Sequence, residues 1–178
     1  MGRATDIRLI VSDVDGVWTD GRIIYTGVAR ETKEFNVRDG LGAKLAQKAG
    51  IVVALVTSRQ SDAVERRARE LGITELRQGA SSKLEETERI ARKLGLSLDQ
   101  VLYVGDDLPD LGAMAHAGIS AAPSDAAPEV LAAASWKLST AGGRGAFREL
   151  VERLLSERGE WDALVKEFIS GRPEAQSI

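Results

Sequence analysis

The chain of 178 residues contains no cysteine. Disulfides, cysteine-ligated zinc, thiolate nucleophiles and thioether-linked haem are therefore excluded. Its one histidine, His116, leaves no histidine-rich metal cluster and argues against a Ser-His-Asp triad. Long apolar runs are also missing. The longest aliphatic stretch, residues 51–56, is far short of the roughly 20 residues that cross a bilayer. The first apolar run, residues 7–11, carries Arg8 and is too short for the core of a signal peptide, and the start lacks the Ser or Thr that myristoylation wants, so a cytoplasmic protein is expected. Charge of one sign is scarce: 24 basic and 27 acidic residues leave a net −3, which does not call for nucleic acid. A Walker loop, a dinucleotide fingerprint and a kinase signature are all lacking, which argues against a nucleotide donor.

What is present describes an ordinary globule with one core, 43% hydrophobic and 29% charged. Apolar runs at residues 7–11, 51–56, 101–104 and 119–122 have the length of buried strands, and residues 75–78 form a weaker one. Helical patterns lie between them, at 40–49, 61–71, 82–94 and 107–117. Ser82-Lys83-Leu84-Glu85 reads as a capping box, and Pro109 suits a first turn. Strand and helix alternate, which predicts an α/β fold with a doubly wound parallel sheet and helices on both faces. Two segments depart from the alternation. Residues 22–36 read as a β-hairpin, with strands at 23–26 and 33–36 around Gly27. Near the end, Trp161, Leu164, Val165, Phe168 and Ile169 share one face of an amphipathic helix. The expectation is a single domain over 1–178, with a hairpin flap at 17–38 and a helical tail at 159–178.

Ligands of such sheets sit beyond the carboxyl ends of the strands. There the sequence places Asp13-Val14-Asp15-Gly16, then Thr57-Ser58-Arg59, then Lys83, then Gly105-Asp106-Asp107 and Asp110. Each has an ordinary reading. Asp and Gly favour turns, Thr57 can bond its own turn, Lys83 can be a solvated surface residue, and Asp110 suits a helix start. A calcium loop is excluded, because the frame from Asp13 puts Trp18 where Gly is needed and Ile24 where Glu is needed. Together the residues point to phosphoryl transfer through an aspartyl phosphate. Asp13 would be the nucleophile, and Asp15 the acid for the leaving alkoxide and later the base for water. Asp13, Asp106 and the Asp15 carbonyl would hold Mg²⁺, with Thr57 and Lys83 on the phosphate oxygens.

At this point the order DVDGV, Thr57, Lys83 and GDDLPD resembles the haloacid dehalogenase superfamily over nearly all of residues 7–155. Within it, DGVWTDG, FNVRDG, QGASSKLE, GDDLPDL and GGRGAFREL resemble the phosphatases of 3-deoxy-D-manno-octulosonate (KDO) 8-phosphate. That resemblance implies a Mg²⁺-dependent phosphatase without a cap domain, a homotetramer of lipopolysaccharide sugar synthesis. It implies Arg59 over the Glu of one nonulosonate 9-phosphate phosphatase group, while Ser58 stands where Gly is expected and the C-terminal helix fits either. The substrate would be an anionic keto-sugar acid phosphate. Its contacts are expected from Arg59, Arg38, Asp39, Ser58 and Arg144, supported by Gly105, Asp107 and Asp110.

Neither gap between Asp15, Thr57 and Lys83 holds a folded lid. The hairpin, or the C-terminal helix, of a neighbouring subunit is therefore expected to cover the site. The alternative for the helix is packing on its own core. A signalling receiver domain is disfavoured, since Thr57-Ser58-Arg59 supplies no Asp after the mid-chain strand. A non-catalytic subunit of the same fold stays open, as does the nonulosonate 9-phosphate.

Overall fold

A computed structural model of the protein describes residues 2–27 and 30–171. Residues 28–29 of the expected flap and those from 172 onward of the expected tail lie outside the described residues. The main sheet contains β1 (Leu9–Ser12), β4 (Val52–Thr57), β5 (Glu75–Gln78), β6 (Val101–Val104), β7 (Ile119–Ala122) and β8 (Trp136–Lys137). All are parallel, in the order β5-β4-β1-β6-β7-β8. The chain builds outward from β1 on one side, then crosses to β6 and builds outward on the other. The β1–β6 seam is thus the switch point at which a crevice opens.

Alternation along each strand feeds two cores. Ile10, Val53, Leu55, Leu102 and Val104 face α1 (Val37–Lys48) and α6 (Ala146–Glu157). Leu9, Val11, Ala54, Val56 and Tyr103 face α3 (Lys83–Lys93), α4 (Leu111–His116) and α5 (Pro128–Ala133). Helix α2 (Asp62–Leu71) joins the first core through Val64, Ala68 and Leu71. Among the described residues no helix is long and apolar enough to cross a membrane.

Three expected elements differ in detail. The hairpin pairs β2 (Ile24–Gly27) with β3 (Arg30–Thr32), so its second strand lies before the expected 33–36. Lys33 leaves the ladder with its side chain turned inward, and the Asn36 side chain caps α1 by accepting from the Arg38 N–H at 2.9 Å. The expected 107–117 helix is split into a 3₁₀ turn, Leu108–Asp110, and α4. Asp107 caps that turn through the Leu108 N–H at 2.8 Å, and Asp110 faces back toward β6. Helix α5 and the two-residue β8 carried too little pattern to be expected.

The C-terminal helix α7 (Trp161–Ile169) packs on its own core. Leu164 is buried there, and Arg148 lies over the Trp161 ring at 5.2 Å. Phe168 and Ile169 are exposed.

Candidate active site

Asp13 is the first residue past β1. Its N–H donates to the Val104 carbonyl at 2.9 Å, which extends the ladder across the switch point and fixes the residue. The buried Asp13 carboxylate lies 2.8 Å from Lys83 Nζ. Lys83 opens α3, where Ser82 caps the helix by accepting from the Glu85 N–H at 3.3 Å. A cation at a helix start opposes the dipole. Two carboxylates offset that cost, because Nζ also lies 2.7 Å from Asp110 Oδ1.

Asp110 has no exposed surface. Oδ1 accepts from Lys83 and, at 2.7 Å, from the Tyr103 hydroxyl, while Oδ2 accepts from the N–H groups of Asp106 and Asp107 at 3.1 and 3.2 Å. A side chain on Gly105 would put its Cβ 2.3 Å from Asp110 Cγ, so the loop closes only with glycine there. Gly16 has a similar task. Its φ is +86°, and a Cβ would stand 1.9 Å from Asp106 Oδ2.

Carboxylate oxygens of Asp13, Asp106 and Asp110 fall within 4.8 Å of one another. Burial, with the Asp110 charge adding and Lys83 opposing, pushes Asp13 up to about 6. Burial, with the charges of Asp13 and Asp110, pushes Asp106 up to about 8. Burial works against the Lys83 charge, yet the two adjoining carboxylates outweigh it and hold the ammonium above its ordinary value. Three carboxylates against one ammonium leave negative charge unbalanced. Among the described residues, Asp106 Oδ1 is buried without a hydrogen-bond partner, as is Asp15 Oδ2. Unmet buried acceptors beside surplus negative charge fit a divalent cation. Asp110 already serves four donors, so the oxygens left to hold it belong to Asp13 and Asp106. Hard oxygen donors of this kind suit Mg²⁺.

The haloacid dehalogenase-like hydrolase family model matches residues 36–118. KdsC, the KDO 8-phosphate phosphatase of Escherichia coli strain B/BL21-DE3, is 44% identical over 162 residues, covering 91% of this chain and 86% of the relative. The chain belongs to the KDO 8-phosphate phosphatase family of haloacid dehalogenase-like hydrolases. Among solved structures of that family, the Yersinia pestis enzyme has a TM-score of 0.88 at 42% identity, covering 90% of this chain and 86% of that one. The Moraxella catarrhalis enzyme, solved with magnesium, phosphate and KDO, has a TM-score of 0.90 at 40% identity, covering 93% and 95%.

Within this member of the KDO 8-phosphate phosphatase family, the other expected residues fall into three groups. Some line the site. Asp15 is half-buried and pairs with Lys33. Buried Thr57 uses Oγ1 to accept from the Arg59 N–H at 3.2 Å, so it bonds its own turn. Half-buried Arg59 meets Glu31 at 2.6 Å. Others are exposed: Ser58, Arg38, Asp107 and Arg144. Arg144 follows a close approach in which a Cβ on Gly142 would sit 1.9 Å from the Gly16 carbonyl oxygen. Asp39 is the correction. Expected at the substrate, it is fully buried and accepts from the Arg148 N–H at 2.8 Å, at the start of α6. Burial pushes it up to about 6, although the N–H groups of α6 oppose the shift. His116 is exposed, with Nδ1 2.8 Å from the Gly112 carbonyl oxygen.

Sequence reasoning passed over Lys33, Glu31 and Tyr103. Lys33 and Glu31 look like solvated hairpin charges, and only the fold brings them to Asp15 and Arg59. Tyr103 reads as core, although its buried hydroxyl required a partner, which is a usable signal.

Proposed function

We propose that the protein is a Mg²⁺-dependent phosphomonoester hydrolase that releases phosphate from KDO 8-phosphate through an aspartyl phosphate on Asp13. The observation that carries this reading is the meeting of Asp13 and Asp106 with Lys83 at the β1–β6 switch point. The relatives named for this activity support the choice of sugar acid.

An Asp13 carboxylate oxygen forms the bond to phosphorus as the bond to the sugar oxygen breaks. Asp15 gives its proton to the departing alkoxide, then takes one from the water that opens the acyl phosphate. Lys83 stabilises charge on the phosphate oxygens, and Thr57 donates to one of them. Asp13, Asp106 and the Asp15 carbonyl would hold Mg²⁺, which when bound offsets the repulsion between the carboxylate and the phosphate dianion. Asp110 and Gly105 shape the loop that presents Asp106, and Asp107 caps its turn. Arg59 receives the substrate carboxylate through a two-pronged pair, with Ser58, Arg38 and Arg144 at the rim. In this reading the enzyme works in the cytoplasm as a homotetramer. The hairpins pair between subunits and cover the site, and the exposed Ile23 and Tyr25 on that hairpin support such pairing.

Phosphate release is to be measured from KDO 8-phosphate, nonulosonate 9-phosphates and ribose 5-phosphate, with Mg²⁺ and with chelator. KDO 8-phosphate should show the highest kcat/KM and require Mg²⁺. Asp13→Asn should fold and lose turnover by at least about a thousandfold. Equal release by wild type and Asp13→Asn would remove the nucleophile assignment, and a nonulosonate preference would replace the substrate.

A further inference from the structure

Glu31 lies outside every motif that pointed to phosphoryl transfer. Its side chain is 13% exposed and wedged between two cations. Oε2 accepts from Arg59 Nη2 at 2.6 Å, and Oε1 lies 2.6 Å from Lys33 Nζ. Lys33, itself buried, reaches on to Asp15. Acid, base, acid, base thus run in a row from Asp15 through Lys33 and Glu31 to Arg59, and their charges cancel. Strand pairing does not require this side chain, because β3 pairs with β2 through its backbone.

The guanidinium of Arg59 is held through Nη2 by Glu31, with Tyr25 of β2 as a second, uncharged neighbour. Its Nε is buried and has no hydrogen-bond partner among the described residues. A guanidinium offers five donors, and a second planar carboxylate suits the ones left over. Take Glu31 away and two cations that shared it face each other. Arg59, 38% exposed, then has open solvent to turn into. We infer that Glu31 is a specificity-determining residue that acts through Arg59: it holds the guanidinium in place for the carboxylate of a sugar-acid phosphate. The inference rests on the substrate class proposed above and adds the residue that presents its carboxylate site.

The test is Glu31→Gln, which keeps the shape and removes the charge. Steady-state kinetics with Mg²⁺ on KDO 8-phosphate and on ribose 5-phosphate, which lacks a carboxylate, give the readout. KM for KDO 8-phosphate should rise about tenfold with kcat changed by less than about twofold, and selectivity over ribose 5-phosphate should fall by about the same factor. Glu31→Asp, which keeps the charge on a shorter arm, should lie between. In an Arg59→Met background, Glu31→Gln should cost nothing more. A lower KM in Glu31→Gln would overturn the inference by showing that Glu31 competes with substrate. Equal losses on both substrates would overturn it too, as an effect on the whole hairpin. If wild type does not prefer KDO 8-phosphate over ribose 5-phosphate, the functional reading itself falls. If wild type prefers it and Glu31→Gln keeps that preference, only the inference falls.

Discussion

Asp110 owes its role to its surroundings. Fully buried, it serves an ammonium, a phenol and two backbone N–H groups, and that arrangement aims Lys83 at Asp13. Asp110→Asn replaces one acceptor oxygen by a donor facing donors and removes the charge opposite Lys83. It should destabilise the fold by about 2–4 kcal/mol and lower kcat, measured by denaturant unfolding and initial rates. Gly16→Ala tests the opposite wall. The new Cβ must displace the Asp106 carboxylate and adopt a φ that costs about 1 kcal/mol. The expected result is a Mg²⁺ requirement raised at least about tenfold, read from activity against metal concentration, with only a modest drop in melting temperature. Asp13, Lys83 and the Gly105-Asp106 pair were legible because each directly follows a strand or opens a helix, where few positions compete, and Asp15 because it stands two residues past Asp13 in the same turn. Lys33 and Glu31 were not, since their partners are 18 and 28 positions away in the chain and nothing local marks the contact.

The cap position before helix α6 is Gly145, which has no side chain with which to cap. Asp39 of α1 supplies the acceptor instead, bonding the Arg148 N–H, where a local cap residue would ordinarily reach. The two helices lie close enough for this because Gly42 leaves room: a Cβ there would stand 3.1 Å from Arg148 Cα. Asp39→Ala should therefore cost about 1–2 kcal/mol of stability while folded enzyme keeps its KM for sugar phosphate, checked by urea unfolding and kinetics on the same samples. The motif that contains Asp39 suggested a substrate contact, and the cause of the misplacement is plain. A cap delivered from another element leaves no trace in the spacing of either one. Strands β6 and β7 were legible to the residue because apolar runs between turn signals set their ends, while β5, with Leu76 its one apolar residue, was the weaker signal although its bounds agree. The hairpin was displaced because Lys33, Phe35 and Asn36 alternate like a strand while their side chains serve the site, the core and a helix cap.

For the molecule as a whole, the clustered carboxylates link stability to pH and metal. The pair Asp13 and Asp106 titrates at about 6 and about 8, above the ordinary 3.8, so the metal-free folded state binds protons that the unfolded state has released. Metal-free protein should therefore lose melting temperature as pH rises from about 4 to about 8, because raised carboxyl pKa values withdraw stability over that window. A divalent cation engages the ionised forms, so the upward shift caused by Mg²⁺ should grow across the same range and vanish in Asp106→Ala. Thermal scans at several pH values with Mg²⁺ and with chelator check both slopes. A Mg²⁺ shift that shrinks with rising pH would place the cation elsewhere.

The hairpin is fastened to the body at Asp15 and at Arg59, the proton carrier and the anion receiver of the proposed reaction. Grip and occupancy are then conjugate. A molecule that draws either anchor toward itself alters how firmly the ribbon is moored, and a neighbour clasping the ribbon must alter, by an equal free energy, how firmly that molecule is kept.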